Sequence, residues 1–161
     1  MYEEKWKSFI GEGSLGGYTQ GESVTLYHYS RANKETLTLD PEYFLSHRNS
    51  FSKREYEKSQ VPRTFFYLDP AQAESIVASG TTPYATEVAS SSVYDLRSDP
   101  MGILESSPSD WAPEGTYMVD YNKVFNTIKE NYGGVFYSLP SFDVVAWFSP
   151  IEVKKTENSN E

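Results

Sequence analysis

Val24-Thr25-Leu26-Tyr27-His28-Tyr29-Ser30-Arg31 reads as a β-strand. β-branched and aromatic residues are dense in it, and Gly and Asp are absent. Strand alternation puts Val24, Leu26, His28 and Ser30 on one face and Thr25, Tyr27 and Tyr29 on the other. One face therefore runs apolar, apolar, His, Ser. A strand that ends in convergent polar groups is a rigid way to deliver a site. His28 is one of two histidines in the chain. From spacing alone, a core-strand His bonded to a backbone carbonyl comes ahead of catalysis.

Outward from this strand, Thr64-Phe65-Phe66-Tyr67-Leu68 is a near-continuous apolar run, which predicts a central strand. Asp69-Pro70 caps a helix through about Ala78, ended by Gly80. Thr81–Ala89 and Ser92–Leu96 read as strands around a Ser90-Ser91-Ser92 turn, Asp99–Leu104 as one helical turn, and 105–116 as a loop. Asp120 opens a helix through about Tyr132 that Gly133-Gly134 stops. Val135–Leu139 and Phe142–Phe148 form a hairpin around Pro140-Ser141. Residues 32–47 read as irregular to helical, with Asp40 as N-cap ahead of Pro41. Residues 46–63 lack periodicity and hold Arg48, Lys53, Arg54, Lys58 and Arg63 against Glu55 and Glu57. That local reversal of sign fits a loop that meets an anion and a solvated loop equally well. Consecutive strands with few crossover helices predict an α+β domain: a mainly antiparallel sheet with flanking short helices.

A chain of 161 residues with 16% aromatics can bury a sizeable single core. A net charge of −9 argues against general nucleic-acid binding and against a membrane-surface protein, both of which want a basic field. With no Cys, disulfides and thiolate metal sites are excluded. No apolar run approaches the ~20 residues that span a bilayer. The N-terminus lacks the basic-then-apolar pattern of a secretory signal. Residues 1–12 read as a short amphipathic helix, 13–22 as a Gly-rich linker, 23–153 as a single α+β domain and 154–161 as a disordered polar tail.

Standard catalytic signatures are missing. No GxGxxG follows a strand, and there is no GxxxxGK[ST], no HExxH and no GxSxG. What remains is His28, an abundance of Tyr, and Asp143. Asp143 opens an apolar strand, sharing a face with Val145 and Trp147. A carboxylate there is either at an exposed strand end or is buried and needs a partner.

These residues carry a resemblance. Leu26–Arg31 resembles the first-strand His motif of the ADP-ribosyltransferase fold, which reads His-Gly-Ser or His-Gly-Thr in the poly(ADP-ribose) polymerase branch; Tyr29 stands at the Gly position. Phe65-Phe66-Tyr67-Leu68-Asp69 and the helix after it are similar to the family's aromatic strand and following helix. Phe142-Asp143-Val144-Val145-Ala146-Trp147-Phe148 resembles the late strand that opens with the catalytic carboxylate, with Asp in place of Glu. Tyr132-Gly133-Gly134-Val135-Phe136-Tyr137 also resembles the approach to the final strands in phage-encoded members. The resemblance spans about residues 24–153 and implies a split antiparallel sheet and NAD as substrate. It implies that His28 and Asp143 are the catalytic pair and that Tyr29 and Ser30 line the cofactor site. Arg31, Arg63 or Arg48 would meet the pyrophosphate. Val77 stands where the family stacks a Tyr on nicotinamide, which leaves Tyr67 or Tyr84 for that role.

A second, shorter resemblance lies at the N-terminus. Phe9-Ile10-Gly11-Glu12-Gly13 is similar to the cleavage site of the head-maturation protease of T-even-type bacteriophages, with the cut between Glu12 and Gly13. It implies a removable propeptide and a virion or host-cytoplasmic protein with a host or virion protein target. An N-terminal helix packed on the domain is the other reading. Three functions stay open: a mono-ADP-ribosyltransferase, an inactive nucleotide- or protein-binding module or internal virion protein on the same fold, and an unrelated α+β domain.

Overall fold

The computed structural model describes residues 19–20, 22–46, 59–74, 80–110, 118–138 and 143–156. The stretch read first is a strand, β2 (Ser23–Ser30), with Val24, Leu26 and His28 buried on one face and Thr25, Tyr27 and Tyr29 half-buried on the other. β1 (Thr19–Gln20), inside the expected linker, pairs with its start. β2 is zipped antiparallel to β5 (Thr82–Ala89) along its full length, from Ser23↔Ala89 to Ser30↔Thr82.

β4 (Thr64–Tyr67) is central, as its apolar run predicts: it lies between β2 and β8 (Asp143–Trp147). β7 (Gly134–Ser138) pairs antiparallel with β8, and β6 (Val93–Asp95) runs parallel beside β7. On the other flank, β3 (Thr36–Leu39) and β9 (Ile151–Lys155) extend the sheet beyond β5. Among the described residues the order is β3-β9-β5-β2-β4-β8-β7-β6, with β1 beside the start of β2, and only β6–β7 is parallel. The protein is a mixed α+β molecule dominated by one mostly antiparallel sheet with few, short helices, as the sequence predicts.

Both faces of the central strands are buried. Val24, Leu26, Phe66, Phe136 and Val145 form one core. The opposite face is covered by α3 (Tyr121–Lys129), whose Val124, Phe125 and Ile128 meet Phe65, Val135 and Ala146. Asp120 caps α3 by accepting from the Asn122 and Lys123 amides at 3.0 and 3.4 Å. In the same way Asp40 caps α1 (Pro41–Ser46), and Asp69 caps α2, described over Pro70–Glu74, each accepting from the amide two residues on.

Four expectations need correction. Within the stretch read as irregular to helical, residues 36–39 are β3, an edge strand paired with β9. The stretch after the hairpin, read with no strand and with a disordered tail from 154, is β9: Ile151 and Val153 point in while Glu152 and Lys154 point out, and Lys154 pairs with Thr36 and Ala85. Asp99–Leu104 is a set of turns rather than a helical turn. Asp99, at φ 47°, accepts from Tyr94 Oη at 2.5 Å and from the Ile103 and Leu104 amides at 2.9 and 3.0 Å. Lastly, α3 ends at Lys129, before the glycines. Gly134 opens β7 instead, where an added Cβ would lie 2.6 Å from Trp147 Cε3 and 2.8 Å from the Ala146 carbonyl. The expected N-terminal helix, the Glu12-Gly13 cut, the basic residues Arg48, Lys53, Arg54 and Lys58, Val77 and the Pro140-Ser141 turn lie outside the described residues.

Candidate functional site

The seam of the sheet lies between β2 and β4. These neighbours are paired at one position, Tyr27↔Tyr67, whereas β2–β5 and β4–β8 are paired along the strand. Beside that rung a side chain ties the strands: His28 Nδ1 donates to the Phe65 carbonyl at 3.0 Å. A carbonyl only accepts, so Nδ1 carries the proton and Nε2 is the acceptor nitrogen of the ring. The ring packs edge-on against Phe44 of α1, centroids 5.4 Å apart, and against Phe66 at 5.6 Å. Burial pushes its pKa below the usual histidine value, with the carbonyl bond opposing. The spacing-based reading of His28 as a core-strand His bonded to a backbone carbonyl is what the geometry contains.

Asp143 projects from the same face of the sheet as His28, since Val145 and Leu26 share one core. The two are not in contact range. Their strands are separated by β4, and the rung Tyr27–Tyr67–Val144 runs between them. Flat-sheet arithmetic puts their Cα atoms about 12 Å apart. The face between carries Phe66 and Leu68, both buried.

The remaining predicted residues divide by position. Ser30 Oγ accepts from the Ala32 amide at 3.0 Å, closing the turn after β2, and Arg31 is exposed beside it. Tyr84 faces the same core as His28 and is its cross-strand partner. Its hydroxyl bonds the Ala32 and Lys34 carbonyls at 3.0 and 2.9 Å and accepts from the Lys34 amide at 3.1 Å. Tyr29 and Tyr67 meet edge-to-face, centroids 6.1 Å apart, but on the opposite face from His28. Burial raises both phenols, and nearby Glu74 adds to the effect on Tyr29. Arg63 is on that opposite face too, fully buried. Its guanidinium lies 4.6 Å from the Phe125 ring centroid and 5.4 Å from that of Phe65, and it donates to the Val61 carbonyl at 2.7 Å. The sheet thus brings His28, Ser30, Tyr84 and Asp143 to one side and separates Tyr29, Tyr67 and Arg63 from them.

Asp143 sits in a polar cluster that sequence reasoning only half found. Ser138, opposite it in the hairpin, donates its hydroxyl to Asp143 Oδ1 at 2.5 Å. Arg97 Nη1 stands 3.7 Å from the same oxygen, and its guanidinium lies 5.5 Å from the Phe136 ring centroid. Asp95, at the end of β6, is fully buried on this face. Its Oδ1 accepts from the Arg97 amide at 2.9 Å, and Oδ2 meets no donor among the described residues. Burial pushes the Asp95 carboxyl up to about 6; the Arg97 amide and guanidinium pull it down, and the Asp143 charge pushes it further up. The signal for Asp95 was a carboxylate inside the apolar run Val93-Tyr94-Asp95-Leu96, the same argument that singles out Asp143.

Two carboxylates, a hydroxyl and one guanidinium suit a cationic or hydroxyl-bearing ligand. Among the described residues no group of three or more His, Cys, Asp or Glu is placed to hold a metal ion, and no helix is long and apolar enough to cross a membrane. No protein-family model, curated protein or solved structure matches the chain.

Proposed function

We propose that the chain is an ADP-ribosyltransferase-like protein that binds NAD, with mono-ADP-ribosylation of a host or virion protein as its activity. The observation that carries this is the strand order. The His strand, the aromatic strand and the carboxylate strand are consecutive neighbours, β2-β4-β8, and His28 and Asp143 leave the same face. A sheet of two halves joined at a single rung supports the split architecture that the motif resemblance implies.

In this reading NAD lies along the seam. Ser30 and the neutral His28 ring hold the nicotinamide riboside, and Tyr84, fully buried beside His28, backs that ring rather than stacking on the nicotinamide. Exposed Arg31 meets the pyrophosphate by charge-assisted bonds. The C–N glycosidic bond breaks with its electron pair leaving on nicotinamide, and Asp143 stabilises the oxocarbenium-like ribose electrostatically. The acceptor nucleophile then bonds to the ribose carbon and loses its proton.

One observation favours the second reading, a nucleotide- or protein-binding module without transfer. Asp143 is already held by Ser138 and approached by Arg97, and Phe66 and Leu68 occupy the face between it and His28. Misplacement of a reacting group by about 1 Å costs ~10²-fold in rate. Incubation with labelled NAD and lysate separates the two. Label on a protein, lost in Asp143→Asn, supports the transferase; NAD binding without transfer or glycohydrolysis supports the module. Neither binding nor turnover rejects both.

A further inference from the structure

We propose that the segment after β2 and the end of β9 form an anion subsite, in which Asn33, Lys34 and Lys155 hold a pyrophosphate. The inference rests on the reading of His28 and Ser30 as the riboside end of the site, and deepens it by naming what meets the phosphates.

Strand register sets the placement. His28 pairs with Tyr84, and Tyr84 pairs with Lys155, so β2, β5 and β9 carry the three residues on one rung and one face. Val153, two residues before Lys155, is buried in the core that Tyr84 shares, which fixes that face. Glu152 and Lys154 alternate to the other side. Two strand spacings put the Lys155 Cα about 10 Å from that of His28. The segment 31–35 starts where Ser30 ends β2. A subsite there stands beyond the riboside end, where a dinucleotide carries its phosphates.

The segment is also held in place. The hydroxyl of fully buried Tyr84 bonds the Ala32 carbonyl and both backbone groups of Lys34. Lys155 ties the segment twice: its amide donates to the Glu35 carbonyl at 2.9 Å, and its Nζ donates to Asn33 Oδ1 at 2.9 Å. With Oδ1 so used, Asn33 keeps two amide N–H donors, and the Lys155 ammonium keeps two of its three. Asn33, Lys34 and Lys155 are all exposed, and among the described residues neither lysine is paired with a carboxylate. Residues 31–35 and 152–155 carry Arg31, Lys34, Lys154 and Lys155 against Glu35 and Glu152, a local reversal of sign in a chain of net −9. Exposed donors on an anchored segment, two of them cationic, suit a multiply charged oxyanion, and a pyrophosphate has oxygens enough for all three.

The test is an NMR titration of the 15N-labelled full chain with inorganic pyrophosphate, on wild type, Lys155→Gln, Lys34→Gln and Lys129→Gln. Lys129, exposed in the last turn of α3, is the control for net charge. The expected result is saturable shifts of the Asn33, Lys34 and Lys155 amide signals, with affinity about tenfold lower in Lys155→Gln and in Lys34→Gln and unchanged in Lys129→Gln. No shift at these residues up to about 10 mM pyrophosphate overturns the proposal. So does an equal loss in Lys129→Gln, which marks an adventitious ion only. A second titration with NAD keeps the two readings apart. Shifts at the subsite with pyrophosphate but none anywhere with NAD support the subsite and sink the NAD reading. NAD shifts at His28 and Ser30 that leave Asn33, Lys34 and Lys155 unmoved overturn the subsite and spare the NAD reading.

Discussion

Arg63 illustrates how a charge read from sequence can serve the fold. In the sequence it belongs to a basic stretch suited to meeting phosphate. In the molecule it is fully buried between Phe65 and Phe125, with backbone carbonyls as acceptors. Arg63→Ala removes the stacked guanidinium and its aliphatic stem and leaves those carbonyls short of a donor. A loss of about 2–4 kcal/mol in urea unfolding is expected. A loss under about 1 kcal/mol would mean that the side chain is held without stabilising. Alternation made His28 legible beside Val24 and Leu26, and Asp143 beside Val145 and Trp147, each within its own strand; that the two leave one face of the sheet follows from the core that Leu26 and Val145 share. Alternation could not tell that Arg63 turns inward, because a cation with carbonyl acceptors leaves no periodic trace. Asp95 was passed over, although a carboxylate inside the run Val93-Tyr94-Asp95-Leu96 gives the same signal as Asp143.

At the scale of elements, β2, β4, β5, β7 and β8 were legible because each is an apolar or alternating run bounded by turn residues. β3 and β9 were not. Thr36–Leu39 is short and lies at the sheet's edge, and Lys154-Lys155 reads as a polar tail until β3 and β5 are placed on either side of it. The glycines before β7 were read as a helix stop, yet close approach to Trp147 is what demands them. Gly134→Ala drives a Cβ to 2.6 Å from the indole and 2.8 Å from a backbone carbonyl, so the β7–β8 pair must part. The expected cost is about 1–3 kcal/mol, read as a lowered midpoint in thermal melting. An unchanged midpoint would show that the indole can step aside. Since β7 and β8 carry Ser138 and Asp143, the same substitution is expected to disturb the polar cluster.

For the whole molecule, the proposed nucleotide site is the β2–β4 seam, flanked by His28 on one strand and Asp143 two strands away. Any ligand that binds only the folded chain raises its stability by mass action, about 2.7 kcal/mol at a hundredfold excess over Kd. For a domain of this size, at roughly 2–4 °C per kcal/mol, that corresponds to a rise of roughly 5–11 °C in Tm. The most direct test is therefore thermal melting of the full chain across an NAD titration up to the order of 1 mM, with ATP as the comparison nucleotide. A saturable rise in Tm with NAD, exceeding that with ATP and reduced in Arg31→Ala, is the result expected. A midpoint that does not move at any NAD concentration would rule out an NAD site at the seam.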